Sequence, residues 1–199
     1  MKVQMNRIYA GLVAGFVLFC RPSGAAAHLV TTGMGPVYDG IGHLLLTPED
    51  LIPVLALALY AGLRGAVIGR QTMFLLPCAW FVGGLAGSAI QNATSFPLPA
   101  LSFIILGGLV AADLYLPAAA VAGLAIILGI VHGFMNGVAL QEGIGTVGLI
   151  GIIAMLFVLI TLASALVVWL GKTWGRIAVR VAGSWIAATG LLMFGWSMQ

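Results

Sequence analysis

"GHLLLTPEDL", residues 42–51, places a histidine, a glutamate and an aspartate just ahead of the apolar run "LIPVLALALYAG" (51–62). Its "TPED" is a helix start. Thr47 suits the N-cap, Pro48 suits the first helical position, and Glu49 and Asp50 sit where the helix dipole is positive. Asp50 follows Thr47 by three residues, close to a capping box. Upstream, "PVYDGIGHLLL" (36–46) reads as a half-helix opened by Pro36, with Asp39 and His43 four apart and so on one face. A half-helix followed by a fresh helix start at membrane depth is the pattern of the broken helices that line transporter sites. The stretch predicts a broken first span whose polar residues either cap it or bind an ion.

Composition supplies the membrane. Of the 199 residues, 62% are hydrophobic and 7% charged, against about 25% charged in a soluble domain. So few charges cannot cover a water-facing surface. The predicted class is therefore an all-α membrane protein whose main surroundings are the lipid bilayer. The net charge of +3 comes from scattered basic residues, which form no patch for nucleic acid. Cys20 and Cys78 match no metal motif and no disulfide framework.

Residues 1–27 have the form of a secretory signal peptide: Lys2 and Arg7, the apolar core "IYAGLVAGFVLFC" (8–20), the breaker "RPSG", then the small residues "AAA" (25–27). Cleavage after Ala27 would leave His28 at the mature N-terminus; the alternative is an uncleaved anchor helix. Residues 28–199 are then expected to hold a six-helix transmembrane bundle, with spans near 48–63, 72–90, 100–116, 118–135, 146–170 and 176–196. Breakers separate them at "RGAVIGR" (64–70), "NATSFPLP" (92–99), Pro117, "NGVALQEGIG" (136–145) and "GKTWGR" (171–176).

Charge orients the bundle. Beyond residue 27 the basic residues are Arg64, Arg70, Lys172, Arg176 and Arg180, all in or beside the loops after the first and fifth spans. The positive-inside rule makes those loops cytoplasmic and the mature N-terminus periplasmic. The outer side then has no Lys or Arg, but it holds His28, Asp39, His43, Glu49, Asp50, His132, Asn136 and Glu142. All three histidines lie there. Avoidance of basic residues explains acids on that side; it does not explain histidines. Asp113 alone among the acids is at the inner end, either as a relay residue or as a hydrogen-bonded helix end.

His132 and Asn136 are four apart in "GIVHGFMNG" and share a face. A membrane histidine often only bonds to a neighbouring helix, yet ionisable residues in spans are functional candidates. Imidazole with carboxylate on adjoining elements is a ligand set for divalent transition metals. His28, His43, Glu49, Asp50, His132 and Asn136 are therefore the candidate metal residues, with a free His28 supplying both amine and ring nitrogen. Small residues at four-residue spacing, Ala125, Gly129, Gly133 and Gly137, with Gly83 and Gly87 in the second span, predict close helix packing.

These residues resemble the HupE/UreJ family of bacterial membrane proteins. "HLLLTPEDLIPVLALALYAG" aligns without a gap to its first motif, H-P-x-x-G-x-D-H-L-L followed by a helix with G-L-W-A. His43 matches the leading histidine, Glu49 the aspartate and Asp50 the second histidine. "HGFMNG" (132–137) aligns with the second motif, H-G-H-A-H-G, with Phe134 and Asn136 in place of two histidines. The resemblance implies nickel or cobalt uptake, no catalysis, and association with metalloenzyme maturation machinery. The exchanged residues lose nitrogen donors and gain oxygen donors, which moves the site toward a harder or more weakly held ion. No nucleotide-binding loop is present. A divalent ion moving inward across 100 mV gains about 4.6 kcal/mol, so the membrane potential or a proton gradient would drive it. Two other functions fit the sequence: a non-catalytic membrane subunit or assembly factor that kept the fold without the metal, and an intramembrane metal-dependent hydrolase. Against the hydrolase, the sequence singles out no nucleophile and no base.

Overall fold

The computed structural model describes residues 32–90, 98–140, 145–171 and 174–198. The expected signal peptide, the 1–27 boundary and His28 lie outside the described residues, as do Glu142 and Lys172. Seven α-helices make up the described chain: α1 (Pro36–Leu46), α2 (Pro48–Arg64), α3 (Ala66–Ser88), α4 (Leu98–Ala112), α5 (Ala118–Ala139), α6 (Gly145–Leu170) and α7 (Trp174–Trp196). The described residues are all-helical, and the protein is a multi-pass membrane protein. By length and apolarity α3, α5, α6 and α7 can each cross a bilayer, and α1 with α2 makes a fifth, bent crossing. The expected six spans include α4, which has 15 residues. At 1.5 Å per residue that is about 22 Å, short of a hydrocarbon core of about 30 Å.

The break in the first span is where the sequence puts it. α1 and α2 meet at 75° across Thr47, because Pro48 holds the residue before it out of the helical region: Thr47 has φ −102° and ψ 94°. Thr47 occupies the N-cap of α2 with extended backbone, but its hydroxyl caps nothing. Asp39 and His43 are both buried on α1, and α1 packs on α6 through Val37, Gly40 and Ile41. The Asp39 carboxylate is held by Thr32, whose N–H donates at 2.5 Å and whose hydroxyl donates at 2.6 Å.

α2 is the hub, packed against all six other helices. Its inward residues Val54, Ala56, Leu57, Ala58 and Tyr60 are fully buried. Three pairs around it are glycine seams. In α3/α5 a Cβ on Gly133 would meet the Trp80 carbonyl, one on Gly137 the Gly84 carbonyl, and one on Gly83 the Ile130 carbonyl. The expected ridge of α5 thus lies on α3, backbone against backbone. Gly40 and Gly151 do the same between α1 and α6, and Gly183 and Gly190 between α7 and α4.

Several expected boundaries move. "RGAVIGR" (64–70) is not a loop: Gly65 alone joins α2 to α3, and α3 starts at Ala66 rather than 72. Gly65 has φ +105° and ψ 174°, a conformation essentially confined to glycine. One residue therefore makes the whole turn, and Arg70 stays exposed on the first turns of α3, where a long side chain reaches the interface. Gly65→Ala is expected to cost about 1–3 kcal/mol through backbone strain alone, since nothing lies within 4 Å of the added Cβ; a melting temperature equal to wild type would refute this. The third span ends at Ala112, four residues before its expected end, because Asp113 takes φ 54° and Pro117 serves as the N-cap of α5. α5 runs on to Ala139, so Asn136 is helical rather than in a breaker.

Candidate functional site

The start of α2, the first turns of α4 and the last turns of α5 meet at one end of the bundle. Asp50 is 7% exposed, His132 1% and Asn136 3%. Asp50 Oδ1 is 2.8 Å from His132 Nδ1, and Asn136 Nδ2 donates to Asp50 Oδ2 at 2.8 Å. The same Nδ2 donates to the His132 carbonyl at 3.0 Å. Both partners of that nitrogen are acceptors, which fixes which end of the amide faces them. Asn136 Oδ1 is left buried without a partner among the described residues.

A carboxylate at Nδ1 fixes the tautomer of a neutral imidazole: Nδ1 carries the proton and Nε2 is the free lone pair. Nε2 faces the hydroxyl of Ser102 on α4, 3.0 Å away. Ser102 Oγ is also 3.0 Å from the Leu98 carbonyl, one turn back. Trp80 of α3 lies along the imidazole, with ring centroids 5.6 Å apart and planes at 33°. Its Nε1 is buried and unpartnered among the described residues. The imidazole is thus held by Asp50 below, Trp80 alongside and Ser102 at its free nitrogen.

Of the residues expected at a metal site, the structure joins Asp50, His132 and Asn136. Asp50 is no mere cap: its carboxylate is spent on the other two. Glu49, its neighbour, is exposed. His43 is buried on α1 and makes no hydrogen bond to Asp50 or His132. Among the described residues, no three His, Cys, Asp or Glu side chains converge as metal ligands do. Ser102 and Trp80 are the residues that sequence reasoning missed. A serine bonded to the carbonyl four residues back is common in apolar helices, and nothing in its local sequence marks Ser102.

At the other end of α2, 14 residues and about 21 Å from Asp50, Asp113 binds Arg64 with one carboxylate oxygen and Arg176 with the other. Arg64 lies 5.3 Å from the Tyr60 ring and 5.8 Å from the Tyr115 ring. The Tyr60 hydroxyl donates to the Leu114 carbonyl at 2.6 Å, and Arg180 Nε to the Ala111 carbonyl at 2.9 Å. Of the two expectations for Asp113, the bonded helix end fits. The arginines and the imidazole are therefore at opposite ends of the bundle, as the charge pattern requires.

The model of the family described as HupE / UreJ protein matches residues 16–193 of this chain. Protein HupE of Rhizobium leguminosarum bv. viciae is 26% identical over 190 residues, covering 92% of this chain and 96% of that protein. No solved structure matches.

Proposed function

This chain belongs to the HupE/UreJ family, and from that premise we propose that it is an inner-membrane permease or metal-delivery protein for a divalent transition metal. The observation that carries this is the buried Asp50–His132–Asn136 cluster at the end away from the arginines. Such a cluster attracts a cation where the other end repels one. Asp50 fixes the imidazole so that Nε2 is its donor, the second-sphere role a carboxylate has toward a metal-bound histidine. Asn136 Oδ1 offers a further buried oxygen. A single imidazole among oxygens holds an ion weakly, and a conducting site has to release its ion as well as take it up. In this reading the end carrying Asp50 is periplasmic, His28, His43 and Glu49 lie on the approach, and the ion is nickel or cobalt, with the oxygen-rich set favouring the less tightly held of candidate ions. The ion is cargo, the chain performs no chemistry on it, and the metal-using partner is maturation machinery on the cytoplasmic side.

The test is accumulation of nickel and cobalt in cells expressing wild type, His132→Ala or His43→Ala at equal membrane abundance. His132→Ala is expected to reduce uptake at least about tenfold. Uptake equal to wild type in both variants overturns the proposal.

A further inference from the structure

The hydrogen-bonded file Ser102–His132–Asp50 has a second chemical property, independent of any metal. Ser102 Oγ to His132 Nε2 is 3.0 Å and His132 Nδ1 to Asp50 Oδ1 is 2.8 Å. That is a nucleophile within reach of a base, and a base oriented by a carboxylate. Asn136 holds the far oxygen of Asp50, so the carboxylate cannot swing away, and Trp80 packs the imidazole from the side. The three residues come from three different helices, α4, α5 and α2, and each is fixed by tertiary contacts.

A pocket of about 190 Å³ opens beside this file, between α4 and α5. Ser102 and His132 are its polar lining, and Leu101, Ile105, Leu128 and Val131 are among its apolar walls. Ile105 is itself exposed, as is Ile127 across the mouth, so the opening faces lipid. An apolar trough ending in a serine hydroxyl and an imidazole nitrogen suits an acyl chain with its carbonyl at the polar end. Ser102 is the fifth residue of α4. Its place near the start of α4 puts the positive end of that helix on the side of the pocket where negative charge would develop.

We infer that Ser102 is a nucleophile for acyl transfer on a lipid-borne ester, with His132 as its base and Asp50 as the positioning residue. The Ser102 hydroxyl turns from the Leu98 carbonyl to Nε2. Oγ forms a bond to the ester carbonyl carbon as its proton passes to Nε2. The tetrahedral adduct collapses by breaking the bond to the leaving alkoxide oxygen, which takes that proton from Nε2 and departs as the alcohol. Water then attacks the acyl-serine, giving its proton to Nε2. Collapse returns that proton to Oγ, restoring the hydroxyl and releasing the carboxylic acid. No oxidant or reductant is involved. This activity goes beyond transport, and the two compete: a cation on Nε2 removes the base.

The experiment is covalent labelling of the full chain, in membranes and in detergent, by an alkyl fluorophosphonate. That probe loses fluoride to an activated serine. Wild type is expected to be labelled at Ser102, identified by peptide mass. Ser102→Ala should be unlabelled. His132→Gln should be labelled at least about 100-fold more slowly. Asp50→Asn should slow labelling at saturating probe while leaving the half-saturating probe concentration within about twofold, a split that simple loss of structure does not produce. Ser184→Ala, on the outer face of α7, should label as wild type, and each variant must elute as wild type does. Absence of labelling in wild type, or labelling that survives Ser102→Ala, overturns the inference. Labelling with no metal uptake leaves transport refuted and this standing; uptake with no labelling does the reverse.

Discussion

Asp113→Ala is expected to lower the stability of the bundle by about 3–5 kcal/mol, seen as a fall in melting temperature and early loss of the monodisperse species on heating in detergent. Arg64 is the reason. Its side chain is 6% exposed and that of Asp113 is 9% exposed, so the guanidinium is buried against its counter-ion and two tyrosine rings. Removing Asp113 leaves that charge uncompensated in a region of low dielectric. It also unties three elements at once, because the same carboxylate holds the end of α2, the α4–α5 turn and the start of α7. Arg176→Ala should cost much less, since its side chain is 37% exposed and partly exposed pairs contribute about 0–1 kcal/mol. In Asp113→Ala, the added change Arg64→Met should recover part of the loss by removing the orphaned charge. A melting temperature for Asp113→Ala within error of wild type would show that the clamp is ornamental.

Gly133→Leu is expected to be as damaging, by about 3 kcal/mol or more. A Cβ there would overlap the Trp80 carbonyl and press on the Trp80 backbone, so α5 and α3 must separate. A neighbouring comparison isolates the cause. Gly123 is on the same helix, but a Cβ on it meets nothing within 4 Å. Gly123→Leu should therefore change stability by no more than about 0.5 kcal/mol. The two substitutions carry the same change in helix propensity and apolarity, so any difference is packing. Separation of α3 from α5 also withdraws Trp80 from the His132 ring, so Gly133→Ala, the milder change, should impair the site before it unfolds the chain. Equal melting curves for Gly133→Leu and Gly123→Leu would refute the seam.

Some of this is written locally. Pro36 and Pro48 each suit a first helical position, and Thr47, Glu49 and Asp50 around Pro48 are the residues of a helix start, so the break at Thr47 is readable without knowing what surrounds it. The α5 ridge is readable because a spacing of four keeps Gly129, Gly133 and Gly137 on one face whatever packs there. The separation of arginines from histidines follows from counting spans, and it survives an error of several residues in each boundary. The extent of α3 and α5 was less legible, since "AVIGRQ" and "NGVA" carry turn residues that a helix accommodates when its neighbours hold it.

The sequence by itself determined an all-helical membrane chain, its broken first span, the glycine ridge of α5 and the two ends that carry opposite chemistry. Tertiary structure alone decided which polar residues meet. Glu49 and Asp50 are adjacent, about 100° apart around the helix, and only the rotation of α2 within its six neighbours turns Asp50 inward and leaves Glu49 exposed. Ser102 joins His132 across 30 residues, and Arg176 joins Asp113 across 63. No periodicity within one helix encodes a contact with another. The file of Ser102, His132, Asp50 and Asn136 exists because α2 and α4 each bring one side chain, and α5 two, to one point, and packing between helices is what fixes that point.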